Sequence, residues 1–144
     1  MKRSIAALAI GATAFAVAAA NAHPEHADRL ANAQVLDPHT PKEDVTALMK
    51  HFTQALGVRC SYCHVGEEGA PLSTYDFASD AKAEKRRARE MMRLTMMINE
   101  SDMLPGEPFA SHTAMDRNRV NCITCHQGNT RPATTLPEDA PDAL

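Results

Sequence analysis

All four cysteines of the 144-residue chain fall in two five-residue units, Cys60-Ser61-Tyr62-Cys63-His64 and Cys122-Ile123-Thr124-Cys125-His126. Two cysteines three positions apart lie on the same side of one helical turn, so both sulfurs reach one edge of a flat ligand. A histidine directly after them falls beneath the ligand's centre. Thiols that add to two vinyl groups, with an imidazole that takes up iron, are the attachment chemistry of c-type haem. A tetrahedral zinc site also uses paired cysteines. The two pairs are too far apart for a zinc ribbon, however, and zinc gives no reason for a histidine after each. Disulfides or a redox dithiol leave the same two histidines unexplained. The expectation is two covalently bound haem c groups. Cys60, Cys63, Cys122 and Cys125 attach them, and His64 and His126 are axial iron ligands.

The elements that must position these units read as helices. Thr40-Pro41-Lys42-Glu43 is a helix start, with Thr40 as cap, Pro41 in the first turn and Glu43 completing a capping box. Val45, Leu48, Met49, Phe52, Ala55 and Leu56 then recur at one-face spacing. Gly57 is placed to stop the helix, three residues before Cys60. A helix that folds back there lays Met49 over the first haem, opposite His64. Plain core is the other reading of Met49, and His51, about 100° off the stripe, is the weaker ligand candidate. Residues 65–79 read as loop, broken by Gly66, Gly69 and Pro71. A second helix runs from a cap at Ser79 or Asp80 to about Asn99. Its basic first half, Lys82 to Glu90, reads as a solvated face with salt bridges to haem propionates or to Glu84 and Glu90, in preference to a docking patch. In its second half Met91, Leu94, Thr95 and Ile98 share the face to be buried, with Met92 and Met96 to one side. A short helix is expected over 111–120. No strand pattern is present. The fold class is mostly α: a small multihaem cytochrome c of two helix–turn–Cys-x-x-Cys-His units, a weak internal repeat.

The ends carry other information. Met1-Lys2-Arg3-Ser4, an apolar stretch from Ile5 to Ala20 and small residues at Ala20-Asn21-Ala22 make a cleaved secretory signal peptide over 1–22. The stretch is short for a membrane span of about 20 residues, and no cysteine near the cleavage point offers a lipid acceptor. Export places the thiols in the periplasm, where covalent haem attachment needs them, and implies a soluble protein there. Residues 23–41 read as a polar, solvated arm, 42–132 as the dihaem domain and 133–144 as a disordered tail. Loss of Lys2 and Arg3 leaves 13 basic against 18 acidic residues, a net −5 that argues against nucleic acid as partner. With no tryptophan and few aromatics, two haems supply much of the apolar mass, and the apo chain is expected to be poorly folded.

Leu48-Met49, Ala55-Leu56-Gly57-Val58 and the first haem motif together resemble the haem-binding repeat of the multihaem cytochrome c subunit of photosynthetic reaction centres. Ala88-Arg89-Glu90-Met91-Met92-Arg93, Ile98-Asn99 and the second motif, with Gln127-Gly128 and Pro132, are similar to the end of that family. The match covers roughly Lys42 to Pro132, and its specific feature is the joint spacing, with Met49 eleven residues before Cys60. The resemblance implies a haem-packed helical domain that passes electrons, with Met49 as sixth ligand of the first haem. Two motifs make the chain similar to the second half of the tetrahaem subunit. Short dihaem relatives imply Met91 as sixth ligand of the second haem, ahead of Met92 and then His112. The function expected is a periplasmic one-electron carrier in a photosynthetic or respiratory chain. It exchanges electrons with redox proteins or a membrane complex such as a reaction centre, and takes no small-molecule substrate. The alternative is a small peroxidase-like dihaem enzyme with one open iron site.

Overall fold

A computed structural model describes residues 29–107 and 109–138. The expected signal peptide, the start of the polar arm and residues 139–144 of the tail lie outside the described residues. Four helices follow in order: α1 Lys42–Leu56, α2 Cys60–Cys63, α3 Ala83–Glu100 and α4 Cys122–His126. Among the described residues there is no strand, only one isolated antiparallel bridge between Val65 and Asp76. Two short helices are the haem motifs themselves. Each packs on a long one: α4 on α1 and α2 on α3.

The end of α1 follows the sequence. Gly57 adopts the left-handed conformation at φ 66°, which glycine enters without steric cost. Its N–H donates to the Gln54 carbonyl and that of Val58 to the Thr53 carbonyl, a Schellman stop. The start of α1 does not. The helix begins at Lys42 after Pro41, with no side-chain cap. Thr40 Oγ1 instead donates to the Asp37 carbonyl at 2.7 Å, so the expected capping box is absent. Glu43 and Asp44 in the first turn still oppose the positive end of the helix dipole.

α3 begins two to three residues later than expected, after Lys82 and again without a side-chain cap. The residue expected to cap it, Asp80, is occupied elsewhere. Its carboxylate takes Arg89 Nη1 at 2.7 Å and Lys85 Nζ at 3.2 Å. Lys85 Nζ also donates to the carbonyls of Phe77, Ala78 and Ser79 at 2.9, 3.0 and 2.8 Å. Arg89 Nη2 reaches the Asn32 carbonyl at 3.1 Å. These bonds roll the helix. Its buried residues are Lys85, Arg89, Met92 and Asn99, whereas Leu94 is 46% exposed. The chain's own packing thus buries the line through Met92, about a quarter turn from the expected face of Met91, Leu94, Thr95 and Ile98, which lines a cavity instead. The basic half is not uniformly solvated either. Burying two cations against one carboxylate and four carbonyls satisfies their charges and outweighs the simpler amphipathic pattern.

The polar arm is tied down where it is described. Gln34 Nε2 donates to Asp80 Oδ2, and Asn32 Nδ2 to the Ala78 carbonyl. The helix expected over 111–120 is replaced by turns. Asn118 bonds the Ser111 carbonyl and the Ala110 N–H, and Ser111 Oγ accepts from the Ala114 N–H. Such side-chain-to-backbone bonds compete with a helix ladder. The buried apolar side chains are Leu48, Ala55 and Met92, a thin core for four helices.

Candidate functional site

The second motif is the better organised. Asn121 and Thr124 form a capping box at the start of α4, which fixes the turn that carries Cys122 and Cys125. Gln127 at φ 49° ends the helix and Gly128 at φ 84° turns the chain back. His126 Nδ1 then donates to the Asn129 carbonyl at 2.8 Å. A carbonyl can only accept, so Nδ1 carries a proton and Nε2 is the ring nitrogen left to meet a metal, the usual orientation of a metal-ligating imidazole. The tail of the motif docks on α1, where the Gly128 N–H donates to the Ala55 carbonyl at 2.9 Å. A Cβ on Gly57 would lie 2.2 Å from the Gly128 carbonyl oxygen. This glycine is required twice, by its backbone angle and by the approach.

A cavity of about 490 Å³ opens beside this motif. It is lined by Cys122, Cys125 and His126 of α4, by Met91, Met92, Thr95 and Ile98 of α3, and by Phe52 and Leu56 of α1. Cys63 of the first motif also reaches it. The size falls in the range of small-molecule and cofactor sites. Cysteine sulfurs, an imidazole and thioethers around one cavity are the donor set that a covalently held iron porphyrin requires. The residues present fit that group.

The first motif is built differently. The loop after α2 folds back through the Val65–Asp76 bridge and brings Phe77 edge-on to His64, ring centroids 5.0 Å apart. Gly66 lies against the Tyr75 ring, which a Cβ would strike. Burial, helped by Lys85, Arg89 and Lys82, holds the His64 imidazole below its usual pKa, so it is kept neutral as a ligand must be. Its Nδ1 is buried without a hydrogen-bond partner. A larger, open depression of about 640 Å³ runs over the outside of α2 between Arg59, Ser61, Lys82 and Glu84. It reaches neither cysteine nor His64.

No two of the four cysteines are joined as a disulfide. Among the described residues no three His, Cys, Asp or Glu side chains converge as a tetrahedral zinc site needs. Burial pushes the Cys63 and Cys122 thiols up.

The structure brings Met91 and Met92 together on the second cavity and leaves His112 out of its lining. The His112 ring packs edge-on against Phe109 at 4.9 Å, with Nε2 buried and unpartnered. Met49 is half-buried on α1 and lines neither cavity. His51, expected to point away from the buried stripe, has its Nε2 sealed and without a partner. α1 buries Leu48 and Ala55 and turns Phe52 and Leu56 to the cavity, so His51 joins the line through Leu48. Several residues that serve the site were not singled out from the sequence: Phe77, Asn129, Asn99 and the buried role of Lys85 and Arg89. Asn129 was open to prediction as the residue three beyond His126, in a glycine turn. The others carry no local signal.

A helical fold wrapped on two Cys-x-x-Cys-His units defines a c-type cytochrome. The chain belongs to the photosynthetic reaction centre cytochrome c subunit family, whose sequence pattern it matches over residues 12–142, a wider span than the expected Lys42 to Pro132. It is 33% identical over 96 residues to a photosynthetic reaction center cytochrome c subunit of Rubrivivax gelatinosus, a stretch covering 62% of this chain and 24% of that one. It is 33% identical over 95 residues to cytochrome c-554 of Chloroflexus aurantiacus, covering 66% of this chain and 20% of that one. The chain thus spans about a quarter or less of the length of these relatives. No solved structure matches it.

Proposed function

We propose that the chain is a periplasmic dihaem c-type cytochrome that carries single electrons between redox proteins. The observation that carries this reading is the one cavity reached by thiols of both motifs, by His126 and by the α3 methionines. Haem iron, when bound, supplies the one-electron chemistry. The chain's own residues do the rest. Cys60 with Cys63, and Cys122 with Cys125, are the points of attachment. His64 and His126 offer ring nitrogens, Met49 is assigned to the first iron and Met91 to the second. Phe52, Leu56 and Ile98 exclude water from the cavity. Because Cys63 and Cys122 line the same space, the two groups would lie close enough to exchange electrons within the chain. Thioether opposite imidazole favours the reduced iron, so both potentials are expected to be high for c-type sites.

Residues 1–22 are assigned as the export signal and 42–132 as the working domain. Among the described residues no helix is long and apolar enough to cross a membrane. The names of the relatives make a membrane reaction centre one candidate partner, alongside other redox proteins. Mass spectrometry of the denatured, exported protein tests the reading: the expected mass is residues 23–144 plus two haems. A bare polypeptide, or one zinc per chain, overturns it. The resting optical spectrum then separates carrier from enzyme, with two low-spin irons expected and a five-coordinate iron marking an open, peroxidase-like site.

A further inference from the structure

α4 packs on α1 and α2 on α3. The walls of the second cavity, α3 with its methionines and α4 with His126, come from different pairs. What joins them is chiefly Asn99. This side chain is 1% exposed and lies two turns beyond Met92 on the same buried line of α3. Its Nδ2 donates to the Val120 carbonyl at 2.8 Å and its Oδ1 accepts from the Val120 N–H at 3.0 Å. A second Nδ2 proton goes to the Thr95 carbonyl at 2.7 Å. The amide is thus satisfied at both ends, and it grips the backbone two residues before Cys122 as a neighbouring strand would. Val120 and Asn121 themselves line the cavity. Arg119 holds the same segment to the Ser101 carbonyl at 3.0 Å, but beyond the end of α3. Among the described residues, Asn99 is the α3 side chain that hydrogen-bonds this segment.

We propose that Asn99 is a positioning residue for the second haem: its paired hydrogen bonds to Val120 hold the methionine wall of α3 at ligating distance from His126. The inference rests on the reading of this cavity as a haem site. A loss of the pair lets the Val120 segment drift from α3, which opens the gap between thioether and imidazole while the attachment cysteines stay in place. The first haem, on α2 and its own loop, keeps its surroundings.

The test compares wild type with Asn99→Leu and Asn99→Ser as purified holoproteins. Leucine keeps the volume and removes both bonds; serine, too short to reach Val120, removes both and leaves a polar group in a smaller volume. Three readouts are taken: haems per chain by mass, the weak sulfur-to-iron absorption band of the ferric protein, and both redox potentials. In Asn99→Leu two haems, half the sulfur band and a fall in one potential with the other unmoved are expected. Asn99→Ser is expected to move the same readouts in the same direction. Full band and unchanged potentials in both variants, with stability alone reduced, reduce Asn99 to a structural residue and overturn the proposal. If Asn99→Leu does not fold, Asn99→Ser decides alone, and equal effects on both haems also overturn it. A wild-type protein with no haem, or with no sulfur band, instead defeats the reading of the site on which the inference stands.

Discussion

Met91 and Met92 sit side by side on α3 and differ in what surrounds them. Met92, 6% exposed, lies on the buried line with Arg89 and Asn99. Met91 is rotated from it by about 100° and is half-buried against the cavity. The first is packed in the chain's own core, and the second is the one proposed as ligand. Met91→Leu is therefore expected to remove half of the ferric sulfur-to-iron band with little loss of stability, under about 1.5 kcal/mol for a swap of similar volume. Met92→Ala is expected to leave the band and cost about 2–5 kcal/mol as a buried deletion. Thermal unfolding and the optical spectrum of each variant check both outcomes. For the first iron, Met49→Leu is expected to remove the other half of the band and lower one potential. A variant unchanged in both would make Met49 core. His112→Ala is expected to leave the band intact, since its ring packs on Phe109 away from the second cavity.

Two junctions between elements carry predictions of their own. Gly57 joins α1 to the second motif, and Gly69 provides a control at the same class of backbone angle. Both have positive φ, but a Cβ at Gly69 meets nothing within 4 Å while one at Gly57 strikes the Gly128 carbonyl. Gly69→Ala is expected to cost about 1 kcal/mol from backbone strain alone. Gly57→Ala is expected to cost clearly more and to weaken haem retention at Cys122 and Cys125, read by thermal unfolding and by mass. The second junction is Asp80, which gathers the arm, the loop after α2 and α3. Hydrogen bonds, from Asn32 first and then Arg89 and Lys85, hold its carboxyl well below the usual carboxylate range. A depressed native pKa contributes stability above the unfolded value, near 4, and that stability is lost as pH falls towards the native value. Asp80→Asn is expected to be less stable than wild type at neutral pH and to lose less on acidification from pH 5 to 3. Unfolding midpoints measured across that range check it.

At the scale of the molecule, the apolar core consists of Leu48, Ala55 and Met92 among the described residues. Tyr62 and Leu94, both lining the 490 Å³ cavity, are 41% and 46% exposed. The apolar surface that would normally close a domain faces the cavity instead. Bound cofactor stabilises whatever state holds it, so folding and haem attachment are expected to be coupled. A variant with Cys60, Cys63, Cys122 and Cys125 all changed to serine should lose its sharp thermal transition and become readily cut by protease. The same variant retaining a cooperative transition near that of the holoprotein would show the chain to be self-sufficient.

The chemistry was local and therefore legible in the sequence. Spacing within Cys-x-x-Cys-His, the Gly57 stop and the α1 stripe are set by residues a few positions apart, where helix geometry alone decides what meets what. Which way α3 turns was not. The apolar pattern favoured Met91, Leu94 and Ile98, but Lys85 and Arg89 found Asp80 and the Phe77–Ser79 carbonyls across a loop, and their satisfaction rolled the helix towards Met92. The pairing of α4 with α1 depends on Gly57 and Gly128 meeting across the whole chain. Asn99 read as an ordinary helix-end residue until Val120 came to lie beside it. A polar side chain shows its partner only when the backbone has folded, because its hydrogen bond is indifferent to distance along the chain. Sequence alone determined which residues are fitted to attach and ligate cofactors; tertiary structure decided which cavity those residues line.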